Sequence, residues 1–119
     1  MKIKPSSAKA KGRKQQQWVR DQILNLFPVL ENDDVRSTSM GAGGEDLIMA
    51  RAARQKFPYS IECKNVEKLN IWEAYAQATA NSGNYEPMCI IKKNNVKPLV
   101  VLDAEYFIDL CSKLENGNT

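Results

Sequence analysis

Asp46, Glu62 and Lys64 are the residues whose types and spacing suit hydrolytic chemistry. Glu62 and Lys64 lie one residue apart in Tyr59-Ser60-Ile61-Glu62-Cys63-Lys64, a stretch with strand character. Side chains alternate across a strand, so the carboxylate and the ammonium share a face and Cys63 points to the other. Asp46 begins a second such stretch, Glu45-Asp46-Leu47-Ile48-Met49-Ala50. If the two stretches lie side by side, two acids and one amine converge. Two hard oxygen donors suit Mg²⁺, with Mn²⁺ as a substitute, and Cys63 falls within the same metal site. Lys64 is then placed to orient or deprotonate an attacking water and to offset charge on a phosphorane-like transition state. The chemistry expected is hydrolysis of a phosphodiester.

The rest of the composition narrows the field. The chain has no histidine, which excludes Ser-His-Asp triads, Cys-His hydrolases and His-containing zinc sites. Cys63, Cys89 and Cys111 are too few and too scattered for a disulfide framework and read as buried free thiols of a reducing compartment. No apolar run approaches the length of about 20 residues that spans a bilayer, and the basic N-terminus lacks a secretory core, so a cytoplasmic location away from membranes is expected. Six basic residues fall within the first fourteen positions, against a net charge of +3 for the whole chain, so the remainder is net acidic. That segregation favours a polyanionic partner, which releases counterions on binding. Residues 1–10 are expected to be a flexible basic arm, and residues 11–119 a single domain.

The DNA contacts expected on these grounds come from Lys11, Arg13 and Lys14, from Ser39, Gly43 and Gly44 around a glycine-rich loop, and from Arg51 and Arg54. Glycine beside Asp46 leaves room for a phosphate backbone to approach. The loop is not a nucleotide-binding P-loop, since no Gly-Lys-Ser/Thr follows it and a strand comes next.

Several elements must position these residues. Val19, Ile23, Leu26, Phe27 and Leu30 recur at helical spacing, and Pro28 stops the helix near Phe27. A short strand is expected over 34–39, then strands over 45–50 and 59–64 that can form a hairpin through a basic turn. Asn70 caps a helix over 71–82, with Glu73 as reciprocal partner and Gly83 past its end. On that helix Trp72, Tyr75, Ala76 and Thr79 are expected to cover the core and Glu73 and Gln77 to face away; Trp18 is likewise assigned to packing. Runs at 88–92 and 98–102 form a second hairpin across Asn94-Asn95. Asp103 caps a final helix, with Phe107, Leu110, Cys111 and Leu114 on one face and Gly117 beyond its end. The order α-β-β-β-α-β-β-α gives an α/β (α+β) fold, a mixed central sheet flanked by helices.

The run Gly43-Gly44-Glu45-Asp46-Leu47-Ile48, a gap of about a dozen residues, and Ile61-Glu62-Cys63-Lys64 resemble the PD-(D/E)XK nuclease signature, with Glu45 where the family's name has proline. A closer resemblance is to archaeal-type Holliday junction resolvases and their phage relatives. It rests on Lys11-Gly12, Ser37 to Ser39 and the two motifs, and covers about two thirds of the chain. The resemblance implies a restriction-endonuclease-like core, a Mg²⁺-dependent endonuclease acting on four-way DNA junctions, and a homodimer. It also nominates Gln77, since the helix after the lysine motif often lends a polar residue to such sites. Those resolvases carry a glutamate near the start of helix one, where this sequence has Gln15, Gln16 and Gln17; Glu31 is the substitute to examine. A nicking, flap or repair endonuclease of the same fold stays open, as does a DNA-binding module without hydrolysis.

Overall fold

The computed structural model describes residues 5–38 and 44–117. Among them are four α-helices and five strands: α1 (Pro5–Leu26), β1 (Val35–Ser37), β2 (Leu47–Met49), α2 (Arg51–Lys56), β3 (Tyr59–Asn65), α3 (Ile71–Ala80), β4 (Glu86–Lys92), β5 (Leu99–Val101) and α4 (Ala104–Gly117). A single 3₁₀ turn, Asn32–Asp34, leads into β1. The fold is mixed α/β, as the sequence predicts, with α2 as an additional element.

α1 starts earlier than the flexible arm expected over 1–10 allows. Proline is tolerated in the first turn of a helix, and the Ala, Lys, Arg and Gln that follow are strong helix formers. The basic residues from Lys9 to Lys14 therefore ride on a helix. Its inner face carries Gln15, Gln16, Val19 and Ile23, all buried, at helical spacing.

β1 and β2 pair antiparallel, with Val35 opposite Met49 and Ser37 opposite Leu47. The second sheet runs β3-β4-β5, with β3 and β4 parallel and β4 and β5 antiparallel. The expected hairpin of β4 and β5 is present. A hairpin between the two motif strands is not: β2 pairs with β1, and Arg51-Ala52-Ala53-Arg54-Gln55-Lys56 is helix α2 instead of a turn. All six are good helix formers, and Ala53 is wholly buried, so propensity and packing agree. The parallel pair needs a crossover, which α3 supplies.

Val19, Ile23, Leu30, Val35, Leu47 and Ile61 form the centre of one core, which Met88 and Ile90 extend. α3 packs on β3 and β4 through Ala74 and Ala78, both nearly inaccessible. The residues expected to cover the core there are turned outward: Trp72 is 86% exposed, Ala76 and Thr79 are exposed, and Tyr75 is half-buried. Short side chains let the helix lie close to the strands, and the stripe follows them. Trp18 is likewise 45% exposed.

α4 departs most from its sequence. Its first turn is capped as expected, with the Tyr106 N–H donating to Asp103 Oδ1 at 2.9 Å. No residue along it is buried, so Phe107, Ile108 and Leu114 are exposed, and so is the Cys111 thiol expected inside. The helix continues through Gly117 and packs on the core through Tyr106, whose hydroxyl pairs with that of Tyr59. No helix among the described residues is long and apolar enough to cross a membrane.

Candidate active site

Asp46 sits just before β2, and three main-chain links fix it. Its N–H donates to the Ile61 carbonyl at 3.1 Å, and its carbonyl accepts from the Thr38 N–H at 3.0 Å and the Thr38 hydroxyl at 3.1 Å. The side chain then reaches β3, where Oδ2 accepts the Cys63 N–H at 2.6 Å. Asp46 is thereby held against the strand at Ile61 and Cys63, the two neighbours of Glu62. Convergence of the two motifs comes through these bonds instead of a hairpin ladder.

Glu62 is 3% exposed, an unusual place for an acid. Its Oε1 lies 3.6 Å from Lys64 Nζ, while Oε2 is buried without a hydrogen-bond partner among the described residues. Burial and, after it, the negative charge of Asp46 push the Glu62 carboxyl up to about 7, with Lys64 acting against both. Asp46 is also raised by burial, opposed by the Cys63 N–H and the Lys64 charge. Two acids that repel each other, one with an unmet buried oxygen, form a receptor for positive charge.

The other predicted residues divide. Cys63 contributes its N–H to Asp46, and burial pushes its thiol well above the ordinary range. Gln77 is exposed, and among the described residues no hydrogen bond joins it to the acids or to Lys64. Glu31 is exposed too, its N–H donates to Asp34 in its own turn, and among the described residues no hydrogen bond or ion pair joins it to Asp46, Glu62 or Lys64. Arg54, expected to meet phosphate, is committed within the fold. It donates to both Glu45 oxygens at 2.8 and 2.6 Å and to the Tyr59 carbonyl at 3.0 Å, and stacks over Tyr85. Arg13, Lys14 and Arg51 are exposed, and Lys11 pairs with Glu67 at 3.5 Å. Gly44 has φ +88°, a conformation that favours glycine, and its carbonyl accepts from Asn81 Nδ2 at 3.3 Å. Ser39 and Gly43 lie outside the described residues.

Two contributors escaped the sequence reading. Asn81, at the end of α3, ties Gly44 to that helix. Gln15 donates from Nε2 to the Lys64 carbonyl at 3.1 Å and to the Ile90 carbonyl at 3.0 Å, joining α1 to β3 and β4. Its position four residues before Val19 was the available signal, overlooked because glutamine is polar.

Among the described residues no group of three or more His, Cys, Asp or Glu side chains gathers to hold a metal. Two carboxylates and one unsatisfied oxygen fit a hard cation that keeps several waters, not a four-ligand zinc. Comparison with family models, with curated proteins and with solved structures finds no match to this chain.

Proposed function

We propose that this chain is a Mg²⁺-dependent DNA endonuclease of the PD-(D/E)XK kind, with Asp46, Glu62 and Lys64 as its hydrolytic centre. The observation that carries this reading is the juxtaposition of a buried acid with an unpartnered oxygen, Glu62, and a half-buried one, Asp46, beside a lysine on the strand face of Glu62. Asp46 and Glu62 would hold the cation, which when bound supplies Lewis-acid polarisation of the phosphoryl oxygen. Lys64 orients the water and carries positive charge to where negative charge grows in the transition state. The Cys63 N–H keeps Asp46 aimed, and Asn81 holds the Gly44 end of the loop through which a phosphate backbone would approach.

Within that class the resemblance to resolvases favours a homodimer that cuts four-way junctions in the cytoplasm, in recombination or repair. A two-fold protein presents two opposed sites to a two-fold substrate. A nicking or flap endonuclease is the alternative within the same chemistry. The buried glutamines of α1 favour a second reading, a DNA-binding module without hydrolysis, because the acidic ligand expected there is absent.

A panel of labelled junction, flap, nicked and linear DNAs, incubated with and without Mg²⁺, separates these readings. Cleavage of the junction alone supports the resolvase, and binding of every substrate without cleavage of any refutes the nuclease. Asp46→Asn should abolish cleavage while DNA binding is kept or improved, since a repelling charge is removed. Persisting cleavage would refute the site assignment.

A further inference from the structure

Beyond the acids, a cavity of about 350 Å³ opens where α1 crosses the end of the β3-β4 pair. Lys11, Lys14, Gln15, Trp18, Asn65 and Lys92 line it. Its size falls within the range of small-ligand pockets, about 300 to 1,000 Å³. Three lysines give it a cationic rim, and Trp18, nearly half exposed, supplies an aromatic wall. Lys11 is shared with Glu67, and Lys92 Nζ donates to the Lys93 and Val96 carbonyls. Lys14 has no ion pair among the described residues.

Behind the side chains that line the cavity lie two unmet acceptors, Gln15 Oε1 and Asn65 Oδ1, both buried without a hydrogen-bond partner among the described residues. Their orientation is not arbitrary. Gln15 Nε2 faces two carbonyls, and Asn65 Nδ2 faces the Lys11 carbonyl at 3.3 Å. Carbonyls only accept, so each amide must present nitrogen to them and keep its oxygen for another donor. A cationic rim, an aromatic face and amide acceptors together match phosphate, base ring and the exocyclic amine of a base.

We infer that this cavity binds one unpaired nucleotide whose base carries an exocyclic amino group, as adenine, cytosine and guanine do and thymine does not. Asn65 directly follows Lys64 on β3 and projects from the opposite face, so the bound nucleotide lies around the end of the strand from the acids. The inference deepens the proposed nuclease reading: a cutting centre beside a pocket for a displaced base selects branched or locally unpaired DNA over intact duplex. Filling the pocket requires Trp18 and the lysine stems to shift enough to bare the amide oxygens.

The test uses the full chain carrying Trp72→Phe, which leaves Trp18 as the only tryptophan, in metal-free buffer with chelator. Its fluorescence is titrated with deoxyadenosine, deoxycytidine and thymidine monophosphates and with the matching hexanucleotides. Quenching is expected, with the adenine and cytosine hexanucleotides at least roughly fivefold tighter than the thymine one, the scale of one discriminating base contact. Hexanucleotides tighter than monophosphates identify a strand of nucleic acid as the source; equal affinities identify a free nucleotide. Lys14→Ala, on the exposed rim, should weaken binding and lower the salt slope by about one. Asn65→Leu should erase the preference over thymine. No quenching, or equal affinity for all three bases, overturns the inference. Cleavage is scored separately with Mg²⁺, so cleavage without quenching removes the pocket and spares the active site. Quenching without cleavage keeps the pocket and removes the nuclease.

Discussion

Glu62 is an acid that folding carries where its charge is least welcome, and this has a sign that can be measured. Its carboxyl is raised from an ordinary 4.5 to about 7, so between those values the folded protein keeps a proton that the unfolded chain releases. The stability that Glu62 contributes is therefore fully present below about 4.5 and is lost as pH rises toward 7, and the raised Asp46 acts in the same direction. The melting temperature of the metal-free protein should fall across that interval, and Glu62→Gln should flatten the profile. A profile equally steep in the variant would place the titration elsewhere. Mg²⁺ should protect more at pH 8 than at pH 5, since only the ionised pair attracts it. The closeness of Glu62 and Lys64 was legible in the sequence because strand alternation alone puts them on one face, whereas Asp46 was expected through a hairpin and arrives instead through its bonds to Ile61 and Cys63. The burial of Gln15 and Gln16 was not, because a search for apolar periodicity passes over polar side chains that are buried to make hydrogen bonds.

Among the elements, α2 shows how much a short basic helix can carry. Arg54 joins Glu45, the start of β3 and the ring of Tyr85, and its guanidinium and the Glu45 carboxylate are both largely covered. Arg54→Ala should destabilise the fold by about 3 kcal/mol in chemical denaturation, because the acid is left partly buried without its partner. Arg54→Lys should recover less than half of this, as one ammonium cannot replace a two-pronged contact. Losses equal to those of exposed Arg51→Ala would show that the pair adds nothing. At α3 the cap was readable in advance: Asn70 Oδ1 accepts the Glu73 N–H at 3.2 Å, and Asn70→Ala should cost about 1 kcal/mol. The buried stripe of the same helix was misread, because large aromatic residues at helical spacing outweighed the two alanines that in fact touch the strands. α2 was missed for a different reason: its six residues are good helix formers, but the run is too short to show a helical period, and only the burial of Ala53 reveals a packed helix.

Across the whole molecule, order is unevenly secured. α1 and α3 cover the β3-β4 pair, α1 from far away in sequence and α3 as the crossover between the two strands, whereas α4 buries no residue and touches the core through its first turn. Backbone amides of α4 beyond Tyr106 should therefore exchange with solvent at least about tenfold faster than those of α3, measured by hydrogen exchange in the native state. Equal protection would mean that something covers the apolar face of α4 in solution. The apolar stripe of α4 was plain in the sequence, but periodicity reports which side of a helix is greasy and not whether a partner awaits it. The bridge that Gln15 makes to the Lys64 and Ile90 carbonyls has a mechanical meaning as well. Together with the Asn65 bond to the Lys11 carbonyl it pins α1 to β3, so Lys9, Lys11 and Lys14 are indexed to Lys64 by helix pitch. One residue inserted between Arg13 and Lys14 would turn Lys9 and Lys11 by about 100° and undo the Asn65 bond to the Lys11 carbonyl, while the Gln15 bolt itself stays fastened. Handle and anchor would then be out of phase on a core that still folds.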